Sequence, residues 1–497
     1  MVTDNLADCQ FEVLDEQLAR LKGFVVDSVK AGTPAHEFER VLLAQVLAMG
    51  HQVFGCFLRE QGNGDVGESL ELPDGRTLKR FQSMCARRLV TIFGEFRFLR
   101  VGYGIRERQA AECIPLDQRL QLPESVVSYV LQDWVEMLAV EVAFASAVKM
   151  LETLLGVSLS GDSAERVCLQ MAAAVEGFQA SQPAPPVEEE GRILVATIDH
   201  KGIPMVHPAA EPAAAAHRTK GKKPKKQMAA IGCVYSVEPH VRSPEELTAT
   251  LFREGTAVTK PPTARHRRYW AELSREVDEI EICGQQRVLA CMAQSVAARR
   301  RPGQPLAYLT DGQRSLKTGG DEQLPADAVE VLDLMHVLPR LWEAAHLFYE
   351  EGSEHASDFV RDRLLQVLKG KASAVVVSLR HMGKRRKFRG TQDERLTTLC
   401  DFLHANVGRM RYDTYLEAGF PIATGVIEGA CRHVIKDRME RAGMRWKVPG
   451  AQAMLRLRTT KANQSWKPFQ AYRIEQETKR LYPHRIKAEI AKWPVAA

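Results

Sequence analysis

The sequence lacks several features that would place it in a common class of protein. Its ten cysteines include no Cys-x-x-Cys pair, which argues against zinc knuckles and against a secreted disulfide framework. The N-terminus, Met1-Val2-Thr3-Asp4, has no apolar core of a signal peptide. The best candidate for a membrane span, Ser125 to Leu151, is interrupted by charged residues and predicts an amphipathic helix. These absences predict a cytoplasmic protein with reduced thiols and no membrane segment.

A strong excess of positive charge is also lacking. The chain has 68 Lys plus Arg against 62 Asp plus Glu, so nucleic-acid binding must be argued from local clusters of charge. The length of 497 residues predicts roughly three or four folding units.

Three acidic residues stand where an apolar stretch meets a glycine-containing turn. Asp199 follows the apolar run Ile193–Ile198, and Asp311 follows Pro305–Thr310. Both runs have the length and composition of buried strands, so each predicts a strand that delivers a carboxylate to a sheet edge. Further strands are predicted at Met228–Val237 and at 329–332, the latter followed by Asp333-Leu334-Met335-His336.

Glu428, the third acid, has a different setting. Thr424-Gly425 can start a helix that continues to Met439 and has Glu428 in its first turns. Arg432 and Lys436 follow at spacings of four, which puts them on the face of Glu428 if the helix is regular. An ion pair on a solvated helix face is an equal alternative. Eight cations against three acids between Glu428 and Arg458 favour a phosphate-facing surface, and those cations are Arg432, Lys436, Arg438, Arg441, Arg445, Lys447, Arg456 and Arg458.

The N-terminal part predicts helices, a β-hairpin and a helical pair. Residues 10–60 have apolar positions at helical spacing, and 89–101 alternate with a period of two around Gly94. In the block 123–178 a glycine turn at Gly156 and serines that can cap the next helix predict a helix-turn-helix. DNA binding by this pair and a purely structural hairpin are equal alternatives.

Two segments predict connections rather than core. Residues 181–191 contain prolines and a run of three glutamates, which predicts a linker. Residues 208–226 are of low complexity and end in a basic tract with Lys222 and Lys223, which predicts a basic loop or a merely solvated tract.

Several of these segments together resemble bacterial insertion-sequence transposases of the ISKra type. The resemblance covers about residues 85–460, and its most specific parts are the segments around Glu428 and Trp446. The segments that carry it are Asp199-His200-Lys201-Gly202, Asp311-Gly312, Asp333-Leu334-Met335-His336, Gly419-Phe420-Pro421-Ile422-Ala423-Thr424-Gly425-Val426-Ile427-Glu428-Gly429 and Gly443-Met444-Arg445-Trp446.

That family is a DDE transposase group related to the Mutator-like elements, and the resemblance implies its fold. The expected fold class is an α/β catalytic core, a ribonuclease H-like mixed sheet with helices, interrupted by an all-helical insertion and preceded by helices and a β-hairpin. The expected regions are an N-terminal helical region at 1–80, a β-hairpin module at 81–122, the helix-turn-helix block at 123–180, the linker at 181–191, the two parts of the core at 192–337 and 416–460, the helical insertion at 338–415 and a C-terminal tail at 461–497.

The resemblance also implies a site, a cofactor and a partner. Asp199, Asp311 and Glu428 would be the catalytic, metal-binding triad, and Asp333 with His336 the accessory Asp-x-x-His motif. The implied cofactor is a pair of Mg²⁺ ions, with Mn²⁺ as an alternative. The implied partner is double-stranded DNA, both element terminal inverted repeats and target DNA, bound by a homo-oligomer in the bacterial nucleoid. The residues expected to bind DNA are Arg432, Lys436, Arg441, Arg445, Lys222 and Lys223.

The sequence therefore predicts a DNA transposase that cleaves and joins strands. A non-catalytic DNA-binding protein derived from such an enzyme is the alternative. His336 either orients a carboxylate or the scissile phosphate, or is a satisfied core histidine.

Overall fold

The structure, a computed structural model, describes residues 7–107, 109–206, 226–254, 260–441 and 443–483. The chain divides into two compact units, one formed from Met1–Ala174 with Lys467–Ala497 and the other from Val175–Trp466. Both helices and strands are present, as the expected fold class requires.

Helices begin and end the described part of the chain, and the strands lie between them. The α-helices are α1 Ala7–Ala31, α2 Ala35–Glu60, α3 Pro115–Leu120, α4 Tyr129–Ala139, α5 Phe144–Leu155, α6 Gly161–Ala172, α7 Val175–Ser181, α8 Pro244–Leu251, α9 Gly284–Arg299, α10 Arg314–Gln323, α11 Leu334–Phe348, α12 Glu354–Leu368, α13 Ala372–Arg385, α14 Thr391–Ala405, α15 Tyr412–Glu417, α16 Gly425–Ala430, α17 Asp437–Met439, α18 Val448–Ala462 and α19 Trp466–Leu481. The strands are β1 Ser69–Glu71, β2 Thr77–Arg80, β3 Cys85–Thr91, β4 Gly94–Arg100, β5 Tyr103–Gly104, β6 Ile193–Pro204, β7 Lys226–Val237, β8 Arg265–Leu273, β9 Arg275–Val277, β10 Ile280–Ile282, β11 Leu306–Thr310 and β12 Val329–Leu332.

The first unit contains the predicted hairpin and helical pair. β3 and β4 are antiparallel and close with Thr91 paired to Gly94, whose φ of 113° favours glycine. α5 ends at Gly156 with φ 68°, and the Ser160 side chain accepts a hydrogen bond from the backbone N–H of Ser163 at the start of α6. The predicted turn chemistry is therefore confirmed, while DNA binding by this pair stays a prediction.

The segment predicted as a C-terminal tail contains a packed helix. On α19, Gln470 donates to Glu136 Oε2 at 2.8 Å and Arg473 donates to Gln132 Oε1 at 2.8 Å, both on α4 of the first unit. Three of the four buried residues of α19 are polar, and Phe469 is the apolar one, so the segment lacks the apolar periodicity by which a packed helix is recognised.

α2 is the described helix that bears on the expectation about membrane segments, and that expectation stays a prediction. Among the described helices it is long and apolar enough to cross a membrane, with a window of mean hydropathy 1.7 of which 17% is buried. Length and composition alone do not assign a span, because a signal sequence near the N-terminus passes the same test. The stretch from Ser125 to Leu151, the expected best candidate, instead divides between α4 and α5.

A five-stranded mixed sheet forms the centre of the second unit. Its strand order is β12-β11-β6-β7-β8, with β12, β11 and β6 parallel and β7 antiparallel to both of its neighbours. α9 packs on this sheet, where Val288, Leu289 and Met292 join a buried apolar cluster with residues of β6 and β11. The predicted strands at 193–198, 228–237, 305–310 and 329–332 are confirmed.

β6 is longer than its sequence indicates. The segment Asp199-His200-Lys201-Gly202 was expected to form a turn, but β6 continues to Pro204, which pairs with Lys226. The reason is β7, whose antiparallel pairing extends over all twelve residues of β6. The parallel pairing of β6 with β11 ends earlier, at Thr197. Asp199 therefore still lies beyond the part of β6 that pairs with β11.

Helices fill the segment between the last strand and α16. α11, α12 and α13 each contact the next helix along the chain, and α14 also contacts α11. The helical prediction for 338–415 is confirmed, and the helices are neighbours joined by short loops, as in a helix bundle.

The expected linker contains a buried charge. Glu190 is bonded to Arg299 on α9 at 2.7 Å, and its carboxylate also accepts from the hydroxyl of Ser236 on β7 at 2.5 Å. Because the side chains of Glu190 and Arg299 are almost fully buried, removal of either partner would leave an uncompensated buried charge. The end of this segment is therefore part of the second unit's core.

Candidate functional site

The sheet brings Asp199 and Asp311 to neighbouring positions. Thr197 on β6 pairs with Leu309 on β11, and each aspartate follows its paired residue by two positions. Neighbouring strands lie about 4.8 Å apart, so the two aspartates lie at adjacent positions at the carboxyl ends of this parallel pair. His200 links the two strand ends, because its Nδ1 lies 3.1 Å from Gln313 Oε1.

Backbone amides fix one oxygen of each aspartate. The N–H of His200 donates to Asp199 Oδ1 at 2.6 Å, and the N–H of Gln313 donates to Asp311 Oδ1 at 2.8 Å. The second contact is the hydrogen bond of an Asx turn, which Gly312 with φ 93° makes accessible to the backbone. Both side chains are partly exposed.

Asp333 caps α11 and orients His336. Its side chain is fully buried, and its Oδ1 accepts from the backbone N–H of Met335 at 2.9 Å and of Thr424 at 3.3 Å. Its Oδ2 lies 2.9 Å from His336 Nδ1 and also accepts from the Thr424 hydroxyl. With both oxygens engaged in this way, Asp333 acts as a positioning group between α11 and α16.

His336 is held on one nitrogen by Asp333. The hydrogen bond to the Asp333 carboxylate raises the pKa of His336, burial lowers it, and the charges of Asp333, Asp311 and Asp199 raise it further. The Nδ1 contact leaves Nε2 as the second ring nitrogen for a ligand or a phosphate. The side chain is 41% exposed, which argues against the alternative of a satisfied core histidine.

Glu428 comes to the same place from α16. Ligand atoms of Asp333, His336 and Glu428 all lie within 4.8 Å of one another, and among the described residues these form a group that could hold a metal ion. Burial raises the pKa of Glu428, the Asp333 and Asp199 carboxylates raise it further, and His336 lowers it. The carboxylate is therefore close to two other acids and a histidine.

Cys431 also belongs to the site, although no sequence motif marks it. Its thiol donates to Asp199 Oδ2 at 3.3 Å, which connects the helix of Glu428 to β6. Burial raises the pKa of this thiol, and the Asp199 charge raises it further. A lone cysteine three residues after an acid carries no sequence signal for such a contact, because the contact depends on how the helix meets the sheet.

Of the three acids predicted as a triad, Asp199 and Asp311 follow adjacent strands of the sheet, and Glu428 lies on α16. The charge of Asp199 raises the pKa of both Glu428 and His336, and the charge of Asp311 raises the pKa of His336. Neither aspartate belongs to the 4.8 Å group. Their role as metal ligands stays a prediction.

The helix of Glu428 is not a regular α-helix. After α16, residues Cys431–Lys436 form a π-helix, and α17 follows directly. The wider turn changes the i,i+4 stacking of a regular helix. The expectation that Glu428, Arg432 and Lys436 share a face through spacings of four is therefore corrected, although Arg432 and Lys436 are exposed.

The eight cations between Glu428 and Arg458 do not form one surface. Arg438 is fully buried under the Trp446 ring, at 4.9 Å from the ring centroid. Arg456 is bonded to Glu272 and Glu176 at 3.0 Å each, and Arg458 is buried and donates to Val434 O at 2.6 Å and to His433 O. The exposed cations are Arg432, Lys436, Arg441, Arg445 and Lys447. Lys222 and Lys223 lie outside the described residues.

Comparison with known proteins adds little to this geometry. No protein-family model matches the chain, and no curated protein matches it. Among the solved structures that match is the Drosophila P element transposase strand transfer complex, with 9% sequence identity over 68% of this chain and 80% of that chain and a TM-score of 0.21. A TM-score this low does not establish a shared fold, so function has to be argued from the site.

Proposed function

We propose that the chain is a DNA transposase that cleaves and joins DNA strands in a metal-dependent reaction. The observation that supports this most is the placement of acids on three separate elements: Asp199 on β6 and Asp311 after β11 follow paired residues of adjacent strands, and Glu428 lies on α16 beside Asp333 and His336. A mixed sheet with its first strand, β6, in the centre agrees with the ribonuclease H-like core that the sequence resemblance implies. The resemblance to ISKra-type transposases supports the same interpretation.

The donor set fits a hard divalent cation. Carboxylate oxygens are the ligands that Mg²⁺ and Mn²⁺ prefer. The Asp333 and Asp199 carboxylates raise the pKa of Glu428, and a bound cation would offset this repulsion between like charges. Asp199, Asp311 and Glu428 would hold the metal. When bound, two such ions would activate the attacking oxygen and stabilise the leaving oxygen in an in-line displacement at phosphorus.

The side chains around the acids supply positioning. Asp333 holds His336 through Nδ1, so that Nε2 can bind the scissile phosphate or a metal-bound group. Cys431 holds Asp199 Oδ2, and the backbone amides of His200 and Gln313 hold the other oxygens of the two aspartates. In this class of reaction, placement of charge matters more than a tuned general base.

The exposed cations beyond Glu428 would bind the DNA backbone. Arg432, Lys436, Arg441 and Arg445 are exposed in the segment that follows the acid, where they can neutralise phosphates on either side of the scissile bond. Assembly of several copies on terminal inverted repeats and target DNA, and a place in the bacterial cytoplasm at the nucleoid, complete the proposal.

Isosteric substitutions of the acids test it. Asp199→Asn, Asp311→Asn and Glu428→Gln are each compared with Asp358→Asn, which changes an exposed aspartate on α12. Labelled duplexes carrying the ends of the element that encodes the chain are incubated with Mg²⁺, with Mn²⁺ or with EDTA. We expect each site variant to lose cleavage and strand transfer by at least ~10²-fold while duplex affinity stays close to that of the unchanged protein. Strand transfer retained in Asp311→Asn contradicts the proposal.

The alternative is a non-catalytic DNA-binding protein derived from a transposase. It predicts tight binding to element ends and no product with either metal, in the unchanged protein as well as in the variants. The same experiment therefore separates the two functions.

A further inference from the structure

A second basic surface lies at the turn between α13 and α14, away from the acids. This basic turn consists of Lys384, Arg385, Arg386, Lys387 and Arg389, all exposed. None of these five side chains forms an ion pair with a carboxylate of the described residues, in contrast to Arg380 one turn earlier, which is paired with Asp401 at 2.8 Å. Five like charges within six residues repel one another, so a purely structural role gives no reason to group them here.

The backbone of the basic turn is fixed. The N–H of Phe388 donates to Gly383 O at 3.1 Å and the N–H of Lys387 donates to Lys384 O at 3.0 Å, which is the Schellman pattern at a helix C-terminus. Phe388 stacks on Phe348 of α11 with ring centroids 5.0 Å apart. The cations are therefore presented on an anchored turn rather than on a loose segment.

Lys387 occupies the position of this motif that favours glycine. Its φ of 54° lies in the left-handed region, where a side chain costs conformational energy that glycine avoids. Lys387 forms no ion pair with the described residues that would offset this cost. An ion pair with an external anion would offset the conformational energy cost.

The basic turn is separated from the acidic site by the length of one helix. α11 begins next to Asp333 and ends at Phe348, against Phe388. Its 15 residues span ~22 Å at a rise of about 1.5 Å per residue. Along one DNA strand, with about 3.4 Å per phosphate, this distance corresponds to roughly six base pairs.

We propose that the basic turn binds the phosphate backbone of double-stranded DNA several base pairs from the bond at the acidic site. This inference rests on the proposed function, because that function supplies the duplex. The occupant is chosen by charge complementarity: an exposed set of closely spaced cations matches a regular row of phosphates. The contact is independent of base sequence, since the turn offers charge rather than a groove-reading element.

A charge-removal experiment tests the contact. The triple variant Arg385→Gln, Lys387→Gln, Arg389→Gln is compared with the control Arg361→Gln, Lys369→Gln, Arg380→Gln, which removes three cations of the same bundle that are paired with acids. Binding to a 40-base-pair duplex of arbitrary sequence is followed by fluorescence anisotropy between 50 and 200 mM salt. We expect the triple variant to bind at least ~10-fold more weakly at 100 mM salt, and its slope of log affinity against log salt to be shallower by about 2 to 3. The control should show neither change.

Two further variants distinguish loss of charge from loss of the fold. Arg385→Lys, Arg386→Lys, Arg389→Lys preserves the charges and should bind as the unchanged protein does. Thermal unfolding of every variant identifies one that has lost its fold, and for such a variant the single substitution Arg389→Gln, outside α13, replaces the triple and should still weaken binding.

The results distinguish this inference from the proposed function. Unchanged affinity and salt slope in the triple variant, in a protein that still cuts element ends, overturn the basic-turn contact alone. Cleavage retained in Asp311→Asn, together with weakened binding in the triple variant, overturns the transposase proposal and keeps the DNA contact. If the triple variant binds an RNA duplex of equal length more weakly and binds the DNA duplex as the unchanged protein does, RNA rather than DNA is the ligand of the basic turn.

Discussion

Two basic segments of the second unit differ in what their charges do. In the segment after Glu428, Arg438, Arg456 and Arg458 are buried or bonded to acids and carbonyl groups, and their neighbours are exposed. In the basic turn between α13 and α14 all five cations are exposed. The first segment combines a structural and a surface role, and the second has a surface role alone.

The difference shows why a count of charges is a weak guide to a binding surface. Arginine has a long apolar stem and a planar group with five donors, so it can serve the interior of a protein when carbonyls or acids meet it. Arg458 does so, because it donates to the carbonyls of His433 and Val434 in the π-helix that follows Glu428. It thereby supports the backbone that places the third acid.

The largest effect is expected from Arg458→Ala. The substitution leaves the carbonyl groups of His433 and Val434 without this donor and removes a buried side chain, so we expect a loss of about 3 kcal/mol in the free energy of unfolding. Denaturant titration measures it. Arg445→Ala, an exposed cation of the same segment, should change the free energy of unfolding by no more than about 0.5 kcal/mol. Equal effects of the two variants would contradict the division into structural and surface cations.

The next effect concerns DNA binding rather than stability. Arg432→Gln, Lys436→Gln, Arg441→Gln and Arg445→Gln combined should lower duplex affinity by about 10- to 100-fold and reduce the salt slope by up to about 3 to 4. Anisotropy measurements over the same salt range check this. Arg361→Gln, Lys369→Gln, Arg380→Gln again serves as the control. A combined variant that binds DNA normally would leave the basic turn as the better supported of the two surfaces.

Much of the central sheet could be predicted from the sequence, and its limits have physical causes. Continuous apolar runs identified β6, β7, β11 and β12, because strands covered on both faces have few polar positions. β8 was missed, since its first half, Arg265–Arg268, is basic and only its second half is buried. The continuation of β6 past Asp199 was missed because it depends on the length of β7.

The candidate site was predicted in part for the same reason. Asp199 and Asp311 follow apolar strand-length runs and Glu428 lies in the first turns of a helix, so the secondary-structure position of each acid could be predicted from the sequence. The contacts of Cys431 with Asp199 and of Thr424 with Asp333 join segments far apart in the chain, and no local pattern specifies them. The π-helix has no periodic signature either, since it spans a single turn.

The smallest effect is expected from Lys387→Gly, which tests whether the backbone conformation of the basic turn is linked to DNA binding. Glycine relieves the left-handed conformation at this position, so we expect the free energy of unfolding to rise by about 1 kcal/mol, while duplex affinity falls by a small factor as one phosphate contact is lost. The matched control is Lys384→Gly, in the last turn of α13, where glycine should instead destabilise by about 0.5 to 1 kcal/mol. Denaturant titration and anisotropy on both variants measure the two quantities. If Lys387 lowers stability and raises DNA affinity, its side chain serves DNA binding. If Lys387→Gly leaves DNA affinity unchanged, no DNA contact offsets the backbone strain at this position.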